Sequence, residues 1–254
     1  MVQTIIGLPE AFYGACRVLP QAWGFFLVRT AYADEKDAEI WATALKKLRP
    51  YALSTPQDIY VEDEDLGLPE ISDHVALQGV GNGTLRAAFA AGTAMFLNRP
   101  VPRNAQAWPS EVRQDAFVVV DAPSLASLLA GPAFEVGKPI SPDEPFVMVV
   151  DARDPTTVPY RGGGPYTGAV RVMARNLGDF FEDLDRKPMD ELCAMREYEG
   201  QIPLYDGSGR DRMVDPEGGL EGRYRFPRGT PRGVEGARAM LEQIDRAGHL
   251  WRDD

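Results

Sequence analysis

Residues 23–48 read WGFFLVRTAYADEKDAEIWATALKKL. Phe25, Phe26, Leu27 and Val28 are aromatic or branched, the composition of a buried strand. Arg29 and Tyr32 then alternate with smaller residues, as a strand does where it leaves a core. Asp34 is placed to cap a helix, its carboxylate accepting a free first-turn N–H. Glu35 and Asp37 face the positive end of that helix's dipole. Ile40, Trp41, Ala44, Leu45 and Leu48 recur at helical spacing and form one apolar stripe. Lys46, Lys47 and Arg49 suit the last turn. Pro50 is expected to stop the helix, because it lacks an N–H and clashes with the preceding turn. The stretch is a strand followed by a helix.

Two more stretches have the same build. Ala116–Val120 is apolar, Asp121 and Ser124 open a short helix with Leu125, Leu128 and Leu129 on its face, and Gly131-Pro132 ends it. Ala169–Met173 is followed by Asn176 as cap, a face of Leu177, Phe180, Phe181 and Leu184, and Pro188 as stop. Phe146–Val150 and Asp58–Val61 read as further strands. Leu85–Leu97 reads as a helix with Leu85, Ala88, Phe89, Met95 and Phe96 inward. Residues 1–20 read as an arm packed on the domain, 189–199 as a helix, and 201–229 as irregular. Thr230-Pro231 opens a last helix with Val234, Ala237, Leu241 and Ile244 on its face. The expectation is one α+β domain over 1–254, with a core at about 21–187 and a helical and irregular extension at 188–254. A mixed or antiparallel sheet would carry helices on one face, in a ferredoxin-like core.

The chain has 254 residues, 44% of them hydrophobic, enough for a sizeable core. Its formal net charge is -11, which argues against phosphate-rich partners such as nucleic acids and against anionic membrane surfaces. The first sixteen residues lack a cationic region, and Pro9 and Glu10 interrupt their apolar run, unlike a signal peptide. No stretch approaches the ~20 apolar residues that span a bilayer. Cys16 and Cys193 are far apart and are expected to be buried free thiols. A soluble, cytoplasmic protein is expected.

The search for chemistry mostly excludes. Among the classes excluded are a nucleophile elbow, a zinc-like spacing of His or Cys, a Cys-x-x-Cys pair and a P-loop. The run Glu62–Asp65 reads as a solvated acidic loop, since calcium loops space their ligands at alternate residues. Asp206–Asp211 fails as a calcium loop, because Arg210 stands at a ligand position and Asp211 at the glycine position. No metal and no cofactor is expected. Gly79-Val-Gly81-Asn-Gly83-Thr84 precedes a helix, as a pyrophosphate-holding turn does. However, the third glycine is one place early and no acidic residue follows about twenty positions on; a loop with a Thr84 cap is the simpler reading. His74 and His249 are the two histidines, and both suit surface positions. Polar residues stand at three strand ends: Arg29 with Tyr32, Asp121, and Asp151 with Arg153. Asp121 suits a cap, and Arg29 a partner carboxylate.

Phe25–Tyr32, with its Arg29-Thr30-x-Tyr32 ending, followed by Asp37 and Trp41 in a helix, resembles a family of uncharacterised small fungal proteins. Arg86 with Phe89, Asp115–Asp121 with Ser124-Leu125, and 170–184 extend the resemblance over about 23–185. It implies no activity and no catalytic residues. The leading expectation is a non-catalytic binding or interaction protein for a protein or small-molecule partner, with a homodimer allowed. The alternative is a cofactor-independent cyclase, isomerase or lyase in which Arg29, Tyr32, His74 and Asp121 converge on a cavity. A third expectation is nucleotide binding through Gly79–Thr84.

Overall fold

The computed structural model describes residues 7–33, 35–54, 66–101, 106–139, 141, 143–158, 166–192, 202–208, 212–214 and 220–221. Several expectations lie outside these: the Asp34 cap, the strand at 58–61, the acidic run 62–65, Cys193 and the helix beyond Leu192, Arg210–Asp211, the last helix from Thr230, and His249.

Helix α1 (Leu8–Cys16) precedes strand β1 (Trp23–Gly24), strand β2 (Leu27–Arg29) and helix α2 (Asp37–Ala52). Strands β3 (Leu66–Gly67) and β4 (Glu70–Ile71) follow, then the one-turn helix α3 (His74–Leu77) and the long helix α4 (Asn82–Leu97). Next come β5 (Glu111–Val112), β6 (Ala116–Val120), α5 (Ala122–Ala130), β7 (Phe146–Asp151), β8 (Ala169–Met173), α6 (Leu177–Arg186) and α7 (Met189–Leu192). Strands β9 (Ile202–Tyr205), β10 (Arg212–Val214) and β11 (Leu220–Glu221) complete the described chain.

Among the described residues the main sheet has eight strands in the order β11-β10-β9-β8-β7-β6-β2-β4. Its β4-β2-β6 part is parallel, β6-β7-β8 is antiparallel, and β9 runs parallel to β8. A smaller parallel sheet, β3-β1-β5, leads into it through backbone bonds at Phe25, Leu27 and Val118. The α+β class and the mixed sheet are therefore as expected.

Helices on one face are not. Phe25, Leu27, Val118, Val149 and Val172 pack with Trp41, Ala44 and Leu48 of α2, Leu125 of α5 and Phe180 of α6. Phe26, Val28, Phe117, Val119 and Val150 pack on the other face with Phe12 of α1 and Leu85 and Phe89 of α4. The sheet is thus covered on both faces, and the one-faced, ferredoxin-like layout is replaced by three layers. The reason lies in the crossovers. From β2 the chain steps to β4 through α2, then back across β2 to β6 through α4. Crossovers of one hand that step in opposite directions put their helices on opposite faces. The strands are accordingly apolar at successive positions rather than alternating: all five residues of β6 are buried.

Other corrections are local. Pro50 lies inside α2, which runs on to Ala52, because its missing N–H removes only one bond near the helix end. His74–Leu77, ahead of the glycine-rich turn, is a helical turn capped by Asp73. Thr84 does not cap α4; Gly81 takes that place with no side-chain bond. The stretch expected to be irregular from 201 onward holds β9, β10 and β11, so the sheet continues past residue 187.

The α4 face is held by edge-on ring contacts. Phe12 lies 5.3 Å from Phe89, and Phe26 lies 5.4 Å from Phe89, centroid to centroid. Gly92 permits this closeness: a Cβ there would sit 2.5 Å from the Phe12 Cβ and 2.6 Å from the Pro9 carbonyl oxygen. Gly92→Ala is expected to cost roughly 1–3 kcal/mol of stability through overpacking. Gly14 of α1 is exposed, with nothing within 4 Å of a Cβ. Gly14→Ala is expected to raise stability by roughly 0.5–1 kcal/mol. Urea unfolding of the two variants checks both signs.

Candidate functional site

The strand order reverses at β2 and β6. In open α/β sheets the crevice beyond the carboxyl ends of strands at such a reversal is where ligands bind. Each residue singled out in the sequence for catalysis stands at this edge.

Arg29 ends β2 and turns under α2, with only 4% of its side chain exposed. Its Nε donates to the Ala31 carbonyl at 2.9 Å, and its Nη2 donates to the Asp37 carboxylate. The guanidinium lies 4.2 Å from the Tyr32 ring centroid and 4.7 Å from that of Trp41. Trp41 in turn donates from Nε1 to Glu70 at 2.8 Å. Asp37 also accepts the Ala33 N–H at 2.7 Å. Arg29 therefore ties the end of β2 to the first turn of α2.

Tyr32 holds three segments together. Its hydroxyl donates to the Arg29 carbonyl at 3.1 Å and accepts the Asp73 N–H at 2.8 Å, and its backbone N–H donates to Gln78 Oε1 at 3.1 Å. The exposed His74 ring packs against it at 4.9 Å. Burial raises the phenol above its ordinary value, against the opposing pull of Ser72, the Asp73 N–H and the Arg29 charge. A tyrosine shifted this way keeps its proton at neutral pH, so little phenolate is available to act as a base.

Asp121 behaves as the expected cap, accepting the Ser124 N–H at 3.0 Å. It is also gripped on both oxygens by Arg171 of β8, at 2.8 and 2.6 Å, and Arg171 donates to Ser124 Oγ at 2.8 Å. Arg171 is 1% exposed, and its Nε has no hydrogen-bond partner among the described residues. The structure thus brings Arg29, Tyr32 and His74 together and leaves Asp121 in a separate pair. A carboxylate bound at both oxygens by a buried arginine is committed there, which sets Asp121 apart from the other three.

The loop before α4 and the first residue of that helix bond to Thr30 and Met148. The Gly79 N–H, at a residue with φ of 66°, donates to the Thr30 carbonyl at 3.0 Å. Asn82 Nδ2 reaches Met148 Sδ at 3.5 Å.

The third strand-end pair, Asp151 with Arg153, occupies the opposite edge. Asp151 is buried and accepts from the Arg153 N–H at 2.8 Å, from its Nη2 at 2.7 Å, and from the Tyr166 hydroxyl at 2.7 Å. Arg153 Nη2 also donates to Asp190 at 2.7 Å. These bonds, the one to Asp151 foremost, raise the Arg153 pKa and keep it charged. A cleft of about 350 Å³ opens beside the pair, lined also by Asp115, Asp185, Lys187 and Met189. Sequence reading missed Arg171, Arg113, Asp185 and Asp190. A lone arginine inside the apolar strand Ala169–Met173 was the available signal for Arg171.

Among the described residues no group of three or more His, Cys, Asp or Glu could hold a metal ion, and no helix is long and apolar enough to cross a membrane. Cys16 is a free, buried thiol, and burial pushes its pKa up to about 11. No protein-family model, curated protein or solved structure matches the chain.

Burial works to raise the Asp37 carboxyl, but the Ala33 N–H and the Arg29 hydrogen bond and charge outweigh it and hold it below its ordinary 3.8. A carboxyl lower in the folded than in the unfolded state stabilises fully above the unfolded value and loses that contribution as pH falls through the folded one. Asp37→Asn is therefore expected to lower the urea midpoint at neutral pH. The gap to wild type is expected to close as pH falls below about 4. Urea unfolding across pH 2–7 (roughly the carboxylate range) measures it.

Proposed function

We propose that this chain is a non-catalytic, cytoplasmic binding or interaction protein whose partner is a small molecule or another protein. One observation carries the reading: three of the four side chains considered for catalysis, Arg29, Tyr32 and Asp121, are spent on holding the fold. Arg29 donates to Ala31 and Asp37 between two rings, the Tyr32 hydroxyl bridges Arg29 and Asp73, and Asp121 is held by Arg171. A general base or acid needs a free face toward a substrate and a pKa moved toward working pH. Tyr32 is moved away from it. The net charge of -11 adds that nucleic acids and anionic membranes are poor partners. A second copy of the chain stays within this reading. In the resemblance to small fungal proteins, Arg29-Thr30-x-Tyr32 would then be a structural signature.

A second reading, nucleotide binding at Gly79–Thr84, has one specific support. The first turn of the sixteen-residue α4 has no side-chain cap and lies at the strand-order reversal, where phosphates are commonly held. ATP raising the melting temperature more than adenosine does would favour it.

Tyr32→Phe and Asp121→Asn separate a structural from a catalytic role. Structural residues lose stability when replaced, whereas residues kept for chemistry often cost stability and their replacement is neutral or favourable. Each variant is expected to lose about 1–2 kcal/mol, or roughly 2–4 °C in melting temperature per kcal/mol for a chain of this size. Unchanged or raised melting temperatures in both would overturn the reading.

A further inference from the structure

The cleft at the Asp151 edge is the concavity whose lining suggests what it takes. Its volume, about 350 Å³, suits a small organic molecule. Its charged lining balances: Asp115, Asp151 and Asp185 against Arg153, Arg186 and Lys187. The charges are not evenly spent.

Arg153 is fixed from behind. Asp151 and Asp190, with side chains only 3% and 6% exposed, take its Nε and Nη2. Its Nη1 has no partner among the described residues, and 43% of the side chain is exposed. A guanidinium held in one plane by buried carboxylates, with donors left over, is a preorganised receptor for a carboxylate. Exposed Lys187 also lines the cleft and has no ion-pair partner among the described residues.

The acidic part of the lining is built differently. Asp115 and Asp185 share one arginine, Arg113, through bonds of 2.7 and 2.6 Å, and remain 52% and 67% exposed. Two carboxylates on one cation leave a net negative charge that faces solvent. Leu184, Pro188 and buried Met189 supply apolar lining.

We propose that this cleft binds a zwitterionic small molecule of amino-acid type. Its carboxylate lies on Arg153 and Lys187, its ammonium group faces Asp115 and Asp185, and its apolar body lies against Leu184 and Met189. A bare anion would meet the uncompensated aspartates, and a bare cation would meet Arg153 and Lys187. The inference rests on reading the chain as a binding protein.

The test is an amide-resolved NMR titration of the full chain with L-leucine, N-acetylleucine and leucinamide. Leucine is expected to shift resonances at Arg153, Asp185 and Lys187, and each charge-deleted analogue to bind about tenfold more weakly. Lys187→Gln and Asp185→Asn alter exposed side chains and leave the Asp151–Arg153 pair intact. Each is expected to weaken leucine binding about tenfold. No shifts at millimolar leucine, shifts only elsewhere, or equal affinity for all three probes would overturn the site. Consumption of leucine in the same samples, with shifts at the cleft, would support the site and overturn the non-catalytic reading.

Discussion

Burial of the central strands on both faces is the constraint on which the rest of the structure depends. Every residue of β2, β6, β7 and β8 is buried, so a charged side chain there must find a counter-charge or stand at a strand end. Arg29 and Asp151 are last in their strands and find partners in the next turn of chain. Arg171, mid-strand, reaches across β7 to the end of β6, where Asp121 meets it. The pair links the α5 cap to the middle of the sheet. Removing Arg171 would leave a committed carboxylate without its counter-charge, which typically costs more than the pair contributes.

Strands and helices were legible where composition and period agreed. Ala169–Met173 is the strand its apolar run suggests, and Asp121 caps α5 as its position before Ser124 implies. The layering was misread, although the evidence was in the same letters. Phe25–Val28, Ala116–Val120 and Phe146–Val150 are continuous apolar runs, which mean cover on both faces, whereas a one-faced sheet would alternate. Strands β9 to β11 were hidden because Gly, Asp, Arg and Pro dominate their surroundings. Ile202–Tyr205 gains its strand conformation from pairing with β8, a tertiary effect no local window contains.

The candidate residues were partly legible for a similar reason. A polar residue at the end of an apolar run is visible in a sequence, and so Arg29, Tyr32, Asp121, Asp151 and Arg153 were found. Their long-range partners were not, because these come from distant segments. Arg171 lies 50 positions from Asp121, and Asp190 lies 37 from Arg153. Polar positions at strand ends suggested that four side chains could converge, but no local pattern showed that Arg171 would hold Asp121.

The reversal of strand order has a consequence for how the chain assembles. β2 is early in the sequence yet sits between β4 and β6, and Thr30 meets Val120 across 90 positions. The antiparallel β7–β8 pair closes a much shorter loop and can form sooner. Contacts of long sequence separation pay their loop-closure entropy before they return any stability, which slows folding. The N-terminal unit, the most self-consistent stretch to read, must wait for a strand synthesised long after it. Until then its run of four apolar residues is the part of the nascent chain most in need of shelter from other chains.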